Sequence, residues 1–79
     1  DEHMRAFDDA LLAACDRYPN LRVFDWRAEV RDEWFISDGI HFTSAGYAAR
    51  AMRIGNALAR AFPADGPPSA ECVVGSGLD

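Results

Sequence analysis

Two residues in this chain combine the types and spacing that proton-transfer chemistry needs. They are Asp38 and His41, three positions apart within ISDGIHFTSAGYAARAMRIG, residues 36–55. A carboxylate three residues before an imidazole can fold back over a tight turn and accept a hydrogen bond from Nδ1–H. That bond fixes the tautomer and leaves Nε2 free as a general base toward a hydroxyl or a water. The same carboxylate stabilises the imidazolium that forms when the base takes a proton. Gly39, between them, lets the backbone adopt positive φ if the turn requires it. Spacing alone also fits a plainer role, in which DGIH is a hydrogen-bonded turn that caps the helix after it.

The other groups that could do chemistry are scattered. The second histidine, His3, stands at the start of the chain, and neither an HExxH nor a paired-cysteine motif occurs, so no metal is expected and no cofactor either. The serines are Ser37, Ser44, Ser69 and Ser76. Ser37 adjoins Asp38 and Ser44 suits a helix start, so neither resembles a presented nucleophile. Cys15 and Cys72 lie far apart. They are either unrelated thiols or a disulfide tying the end of the chain to the first helix, which would imply an oxidising compartment.

Around these residues the patterning defines a few elements. Residues 2–18 are expected to be helical, with Phe7, Leu11, Ala14 and Tyr18 on one apolar stripe and a stop at Tyr18-Pro19. LRVFDW, residues 21–26, is expected to be a strand, and its apolar residues alternate onto both faces, as in a sheet covered on both sides. Residues 27–35 are expected to form a short helical turn that leads into the DGIH loop. Residues 44–62 form the clearest helix, with Thr43 or Ser44 as N-cap. Tyr47, Ala51, Ile54, Leu58 and Phe62 form its buried stripe, and Arg50, Arg53 and Arg60 its solvated side. Phe62-Pro63 ends it, and residues 63–79 read as an extended or flexible tail.

Helix, strand, loop, helix is an incomplete set, because one strand makes no sheet. The expected fold class is therefore α/β, with residues 1–62 forming the terminal helix-strand-loop-helix portion of a larger domain. A chain that begins in mid-helix without an initiator Met also reads as a piece of something longer.

Composition bounds the rest. Seventy-nine residues with 49% apolar content make at most one small domain with a marginal core. The net charge of −5 gives no reason to expect nucleic acid or an anionic membrane as partner. No apolar run approaches the ~20 residues of a spanning helix, and the N-terminus does not resemble a signal peptide.

The segment DGIHFTSAGY, residues 38–47, with the alanine-rich helix after it, resembles the last conserved block of the SGNH/GDSL hydrolase superfamily, D-G-x-H-[LFP]-[TSN]-x-x-G-Y/H. YPNLRVFDW, residues 18–26, resembles that family's final strand and the helix before it, and the resemblance spans about residues 5–62. It implies a flavodoxin-like α/β/α three-layer sandwich and a Ser-His-Asp triad in an esterase, lipase or acyltransferase. Asp38 matches the triad acid and His41 the general base, while Thr43, Gly46 and Tyr47 match positions that start and pack the helix. Phe42 and Trp34 would either wall the acyl site or pack under the turn. The family's Gly-Asp-Ser nucleophile block and its oxyanion-hole Gly and Gly-x-Asn are missing, so Ser and oxyanion donors would lie outside these residues. The implied partners are a small-molecule, lipid or carbohydrate ester and the rest of the hydrolase domain, in the same or another chain. Family habit and the cysteine pair point to an extracytoplasmic or secreted setting. The alternative is a non-catalytic fragment or binding module in which DGIH is structural.

Overall fold

The structure, a computed structural model, describes residues 2–78. Its elements follow local signals closely at the start of the longest helix and less closely elsewhere. Helix α1 covers Glu2–Ala14, four residues shorter than the periodicity suggests. Its end tightens into a run of turns in which Cys15, Asp16 and Arg17 donate to carbonyls three residues back, so Cys15 leaves the helical path. Helix α2, Trp26–Glu29, is a single turn, and a 3₁₀ turn follows over Asp32–Trp34. Helix α3, Ser44–Ala61, begins where its cap chemistry puts it, with Thr43 Oγ1 accepting the Gly46 N–H at 3.0 Å.

The expected α/β class is not what this chain adopts. About 49% of it is helical and 5% is in strand pairing, with no sheet among the described residues, so the chain is mainly helical. The expected strand at 21–26 reduces to one parallel bridge between Val23 and Val73. A strand forms only against a neighbour, and the neighbour available here is residues 72–74 of the returning C-terminal segment. Val23 N–H donates to the Cys72 carbonyl at 2.8 Å, and Val74 N–H to the Val23 carbonyl at 2.9 Å. Trp26 then turns into α2 instead of extending, because Arg27, Ala28 and Glu29 are good helix formers.

Residues 63–78 carry no helix, and they are fastened from Ser69 onward. Ser69 N–H donates to the Ala61 carbonyl, and the Arg22 guanidinium reaches the Ser69 carbonyl at 2.8 Å. The sulfurs of Cys15 and Cys72 lie 2.09 Å apart, at disulfide distance, with their Cα atoms 5.8 Å apart. Of the two readings open for the cysteines, the structure therefore favours the bonded pair, which ties α1 to the segment paired with Val23.

The packed side of α3 is one residue out of phase with the expected stripe. Gly46, Arg53, Ala57 and Ala61 are buried, whereas Tyr47, Ile54, Leu58 and Phe62 are exposed. Arg53 thus leaves the solvated row expected for it. Among the described residues, the buried apolar set is Val23, Ala57, Ala61 and Val74, and no large side chain is fully enclosed. Helix α1 buries nothing, and Phe7 on its stripe is 61% exposed.

The shape explains this. The molecule measures 41 × 29 × 15 Å with a radius of gyration of 13.9 Å, whereas a compact chain of this length has about 11.6 Å. Its accessible surface is 5895 Å², about 1,200 Å² more than the roughly 4,700 Å² that a compact protein of this mass shows. The slab is thin, so amphipathic helices that would be sandwiched in a thicker fold keep their apolar stripes outside. No helix among the described residues is long and apolar enough to cross a membrane.

Candidate active site

The turn that carries Asp38 and His41 is closed from its base upward. Thr43 N–H donates to the Trp34 carbonyl at 2.8 Å, Phe35 and Phe42 form an antiparallel bridge, and Ile36 N–H donates to the His41 carbonyl at 2.9 Å. The tip is a turn in which Gly39 N–H reaches back to the Ile36 carbonyl at 3.0 Å. Gly39 has φ +69°, a left-handed conformation that costs a side-chain-bearing residue roughly 1–2 kcal/mol.

Within this frame the Asp38 carboxylate divides its two oxygens. Oδ1 accepts the backbone N–H groups of Ile40, at 2.9 Å, and His41, at 3.0 Å. Oδ2 meets His41 Nδ1 at 2.6 Å. One oxygen therefore shapes the turn while the other holds the imidazole. The hydrogen bond from His41, with those from the two backbone N–H groups, draws the Asp38 pKa down to about 2. At neutral pH the carboxylate is then ionised and can only accept, so the proton in the 2.6 Å contact belongs to Nδ1. The other ring nitrogen is Nε2. It faces open space, with the His41 side chain 67% exposed and that of Asp38 39% exposed.

Below the turn lies an aromatic seat. The Phe35 and Phe42 rings are 4.8 Å apart, and Phe42 meets Tyr47 edge-on at 5.3 Å and Trp26 edge-on at 6.0 Å. Trp26 stacks on Trp34 at 5.7 Å with the planes 9° apart. Offset and edge-on pairs of this kind are worth about 0.5–1.5 kcal/mol each beyond their buried area. Phe42 and Trp34 therefore belong to packing beneath the turn in this chain. Helix α3 meets the seat through Gly46, whose Cα side lies against the Trp34 carbonyl and Cβ and the Phe42 Cβ.

The remaining candidates lie apart. Ser76 is buried and its hydroxyl donates to the Glu29 carboxylate at 2.5 Å. Ser69 Oγ accepts the Glu71 N–H at 3.2 Å. Ser44 is the first residue of α3, and Ser37 sits on the turn itself. No serine hydroxyl is hydrogen-bonded to His41 among the described residues. His3 lies on α1, and no group of three or more His, Cys, Asp or Glu side chains among the described residues could hold a metal ion.

One buried charged group was not foreseen. Arg53 is 7% exposed, and its guanidinium bonds the Glu29 carboxylate at 2.9 Å and lies over the Trp34 ring at 5.2 Å. Glu29 also accepts the Ser76 N–H at 2.8 Å. Burial pushes the Glu29 pKa up, but the bonds from Ser76 and Arg53 outweigh it and leave the group below its ordinary value. The available signal was position, since Arg53 falls on the same face of α3 as Gly46 and the small residues Ala57 and Ala61.

No family model, no curated protein and no solved structure matches this chain.

Proposed function

We propose that the 38–41 turn is the acid–base half of a Ser-His-Asp ester hydrolase or O-acyltransferase. Its nucleophile and oxyanion donors then come from outside these residues. The observation that carries this is the 2.6 Å Asp38 Oδ2–His41 Nδ1 contact, which engages one ring nitrogen and leaves Nε2 outside that bond on an exposed side chain. The purely structural alternative is less favoured because the cap of α3 is Thr43, and Asp38 gives α3 no hydrogen bond. A turn-forming aspartate needs one carboxylate oxygen, and here the second is spent on the ring.

In the proposed reaction His41 Nε2 takes the proton from a serine Oγ as that oxygen attacks an ester carbonyl. The new C–O bond makes a tetrahedral oxyanion, held by donors from outside these residues. Collapse breaks the bond to the leaving alkoxide, which takes the proton back from Nε2 and departs as an alcohol. Water or an acceptor hydroxyl then repeats the sequence on the acyl-enzyme and frees the serine. Asp38 stays ionised throughout and stabilises the imidazolium.

The surface supports a missing companion. An excess of about 1,200 Å² of accessible area is larger than the ~800 Å² each partner contributes to an ordinary stable interface. The exposed apolar stripes of α1 and α3, including Phe7, Leu11, Ile54 and Leu58, are where the rest of a catalytic domain would pack. The Cys15–Cys72 pair supports an extracytoplasmic setting, where such bonds persist.

The test is p-nitrophenyl acetate hydrolysis by the full native polypeptide that contains these residues. His41→Ala is expected to lower kcat/KM by two orders of magnitude or more, and unchanged hydrolysis overturns the assignment. The 79 residues by themselves are expected to show no esterase activity.

A further inference from the structure

The Glu29–Arg53 pair, in which Arg53 is buried and Glu29 is partly exposed, has no part in the chemistry just described, and its cost makes it conspicuous. Desolvating two charges cancels most of their attraction, so an apolar pair of similar volume would stabilise a fold as well or better. What such a pair adds is direction. The Arg53 guanidinium is held on three sides at once: by Glu29 Oε1 at 2.9 Å, by the Leu78 carbonyl at 3.3 Å and by the face of Trp34 at 5.2 Å. Glu29 is fixed in turn by the Ser76 N–H at 2.8 Å and the Ser76 hydroxyl at 2.5 Å.

Trp34 is where this network meets the turn. Its carbonyl takes the Thr43 N–H that closes the base of the 35–42 hairpin, and its ring stacks on Trp26, which touches Phe42. Helix geometry explains the reach. Arg53 lies two turns beyond Gly46 on the same face, about 10 Å along the axis, and long helical side chains lean back toward the N-terminus. A shorter or differently placed cation would not arrive at Trp34.

We propose that Arg53 and Glu29, locked by Ser76 of the C-terminal segment, are positioning residues that orient Trp34 and thereby hold Asp38 and His41 in register. The inference rests on the acid–base reading of the turn only for its catalytic consequence. Its structural content, control of the Asp38–His41 contact from a distance, can be measured without catalysis.

The test uses the oxidised chain and follows the Asp38 carboxyl carbon by NMR as pH is lowered, beside circular dichroism as a record of folding. In the wild type the midpoint is expected near 2. Arg53→Met, and the double variant Glu29→Gln/Arg53→Met with no charge left unpaired, are expected to keep their helix content. In both, the Asp38 midpoint is expected to rise by about one pH unit as its hydrogen bonds loosen. Arg53→Lys restores a cation and is expected to recover part of that shift. A merely structural pair would lower the melting temperature and leave the Asp38 midpoint where it was, which overturns the proposal. Unfolding of the double variant also overturns it, because the pair would then hold the fold and not the turn. In the full polypeptide the same double variant is expected to lower kcat with little change in KM. If His41→Ala proves silent there while the Asp38 midpoint still moves, the catalytic reading fails and the positioning inference stands. A wild-type midpoint at the ordinary aspartate value removes the Asp38–His41 contact and both with it.

Discussion

Replacing Gly46 by alanine tests the contact that seats the turn on α3. In the first turn of a helix, glycine-to-alanine ordinarily stabilises by up to about 1 kcal/mol, since alanine restricts the unfolded chain and favours the helix. Here a Cβ would lie 2.8 Å from the Trp34 Cβ and 3.1 Å from the Phe42 Cβ, and closer still to the Trp34 carbonyl oxygen. Carbon contacts settle near 3.5–4.0 Å, so α3 and the base of the hairpin would have to separate by more than half an ångström. Overpacking of this kind costs about 1–3 kcal/mol. The displaced oxygen is the acceptor for Thr43 N–H, and weakening that bond adds about 0.5–1.5 kcal/mol. The net effect of Gly46→Ala is therefore a loss of roughly 1–3 kcal/mol, read as a fall in melting temperature of about 5–15 °C for a chain of this size. Gly55, on the same helix, has nothing within 4 Å of the equivalent Cβ. Gly55→Ala is expected to raise the melting temperature by several degrees, a gain of about 0.5–1 kcal/mol. Thermal melts of the two variants by circular dichroism decide the matter. Equal signs for the two substitutions, or a Gly46→Ala chain as stable as wild type, would refute the close-approach account.

Four further outcomes can be checked. Asp38→Asn keeps an oxygen for the Ile40 and His41 N–H groups but turns an amide N–H toward Nδ1; NMR should show the ring proton moved to Nε2, with esterase activity of the full polypeptide down at least 100-fold. The Asp38 pKa lies below its unfolded value of 3.8, so its contribution to stability is complete above pH 3.8 and is lost as pH falls through about 2; Asp38→Asn should erase that limb of a pH-dependent melt. Glu29 is likewise lowered from 4.5, so its contribution is present above pH 4.5 and is lost below it, and Glu29→Gln should flatten the stability curve in that acid range. Cutting the Cys15–Cys72 link by double serine substitution opens a 57-residue loop and should cost about 4 kcal/mol, enough to leave so small a chain largely unfolded in a urea titration.

What the sequence made legible is what is local. Asp38 and His41 are three residues apart, so the geometry that joins them depends on Gly39 and a few backbone bonds nearby. Thr43 caps α3 through a bond to Gly46, again three residues away. Residues 27–35, expected as one short helical turn, divide into α2 and the 3₁₀ turn at Asp32–Trp34. The expectations that fell were those that needed a distant partner. LRVFDW has the composition of a doubly covered strand, but composition cannot provide the neighbouring strands, and the structure gives it only Val73. On α3 the helical period was right and the phase was not, because the apolar row at Tyr47, Ile54 and Leu58 and the row at Gly46, Arg53 and Ala57 differ by a single residue. Which row is buried depends on what meets the helix, and that is Trp34 and the returning C-terminal segment. Periodicity says nothing about either, and a charged residue at 53 argued against the row that is in fact buried.

The two halves of the candidate site differ in the same way, and this bears on how its chemistry can be organised. Orienting a general base takes one carboxylate and one turn, which a stretch of ten residues closes by itself. Stabilising an oxyanion takes donors converging on a point in space from separate parts of a fold, and placing a nucleophile within reach of Nε2 takes another. A thin slab with its apolar stripes uncovered cannot fix such a point. It can, however, deliver a rigid base to one, provided the turn keeps its shape before the rest arrives. The aromatic seat under Phe42, the close approach at Gly46 and the buried Arg53 on Trp34 all serve that condition. They make the orientation of His41 a property of this chain, while the reaction proposed for it would depend on what covers the exposed face.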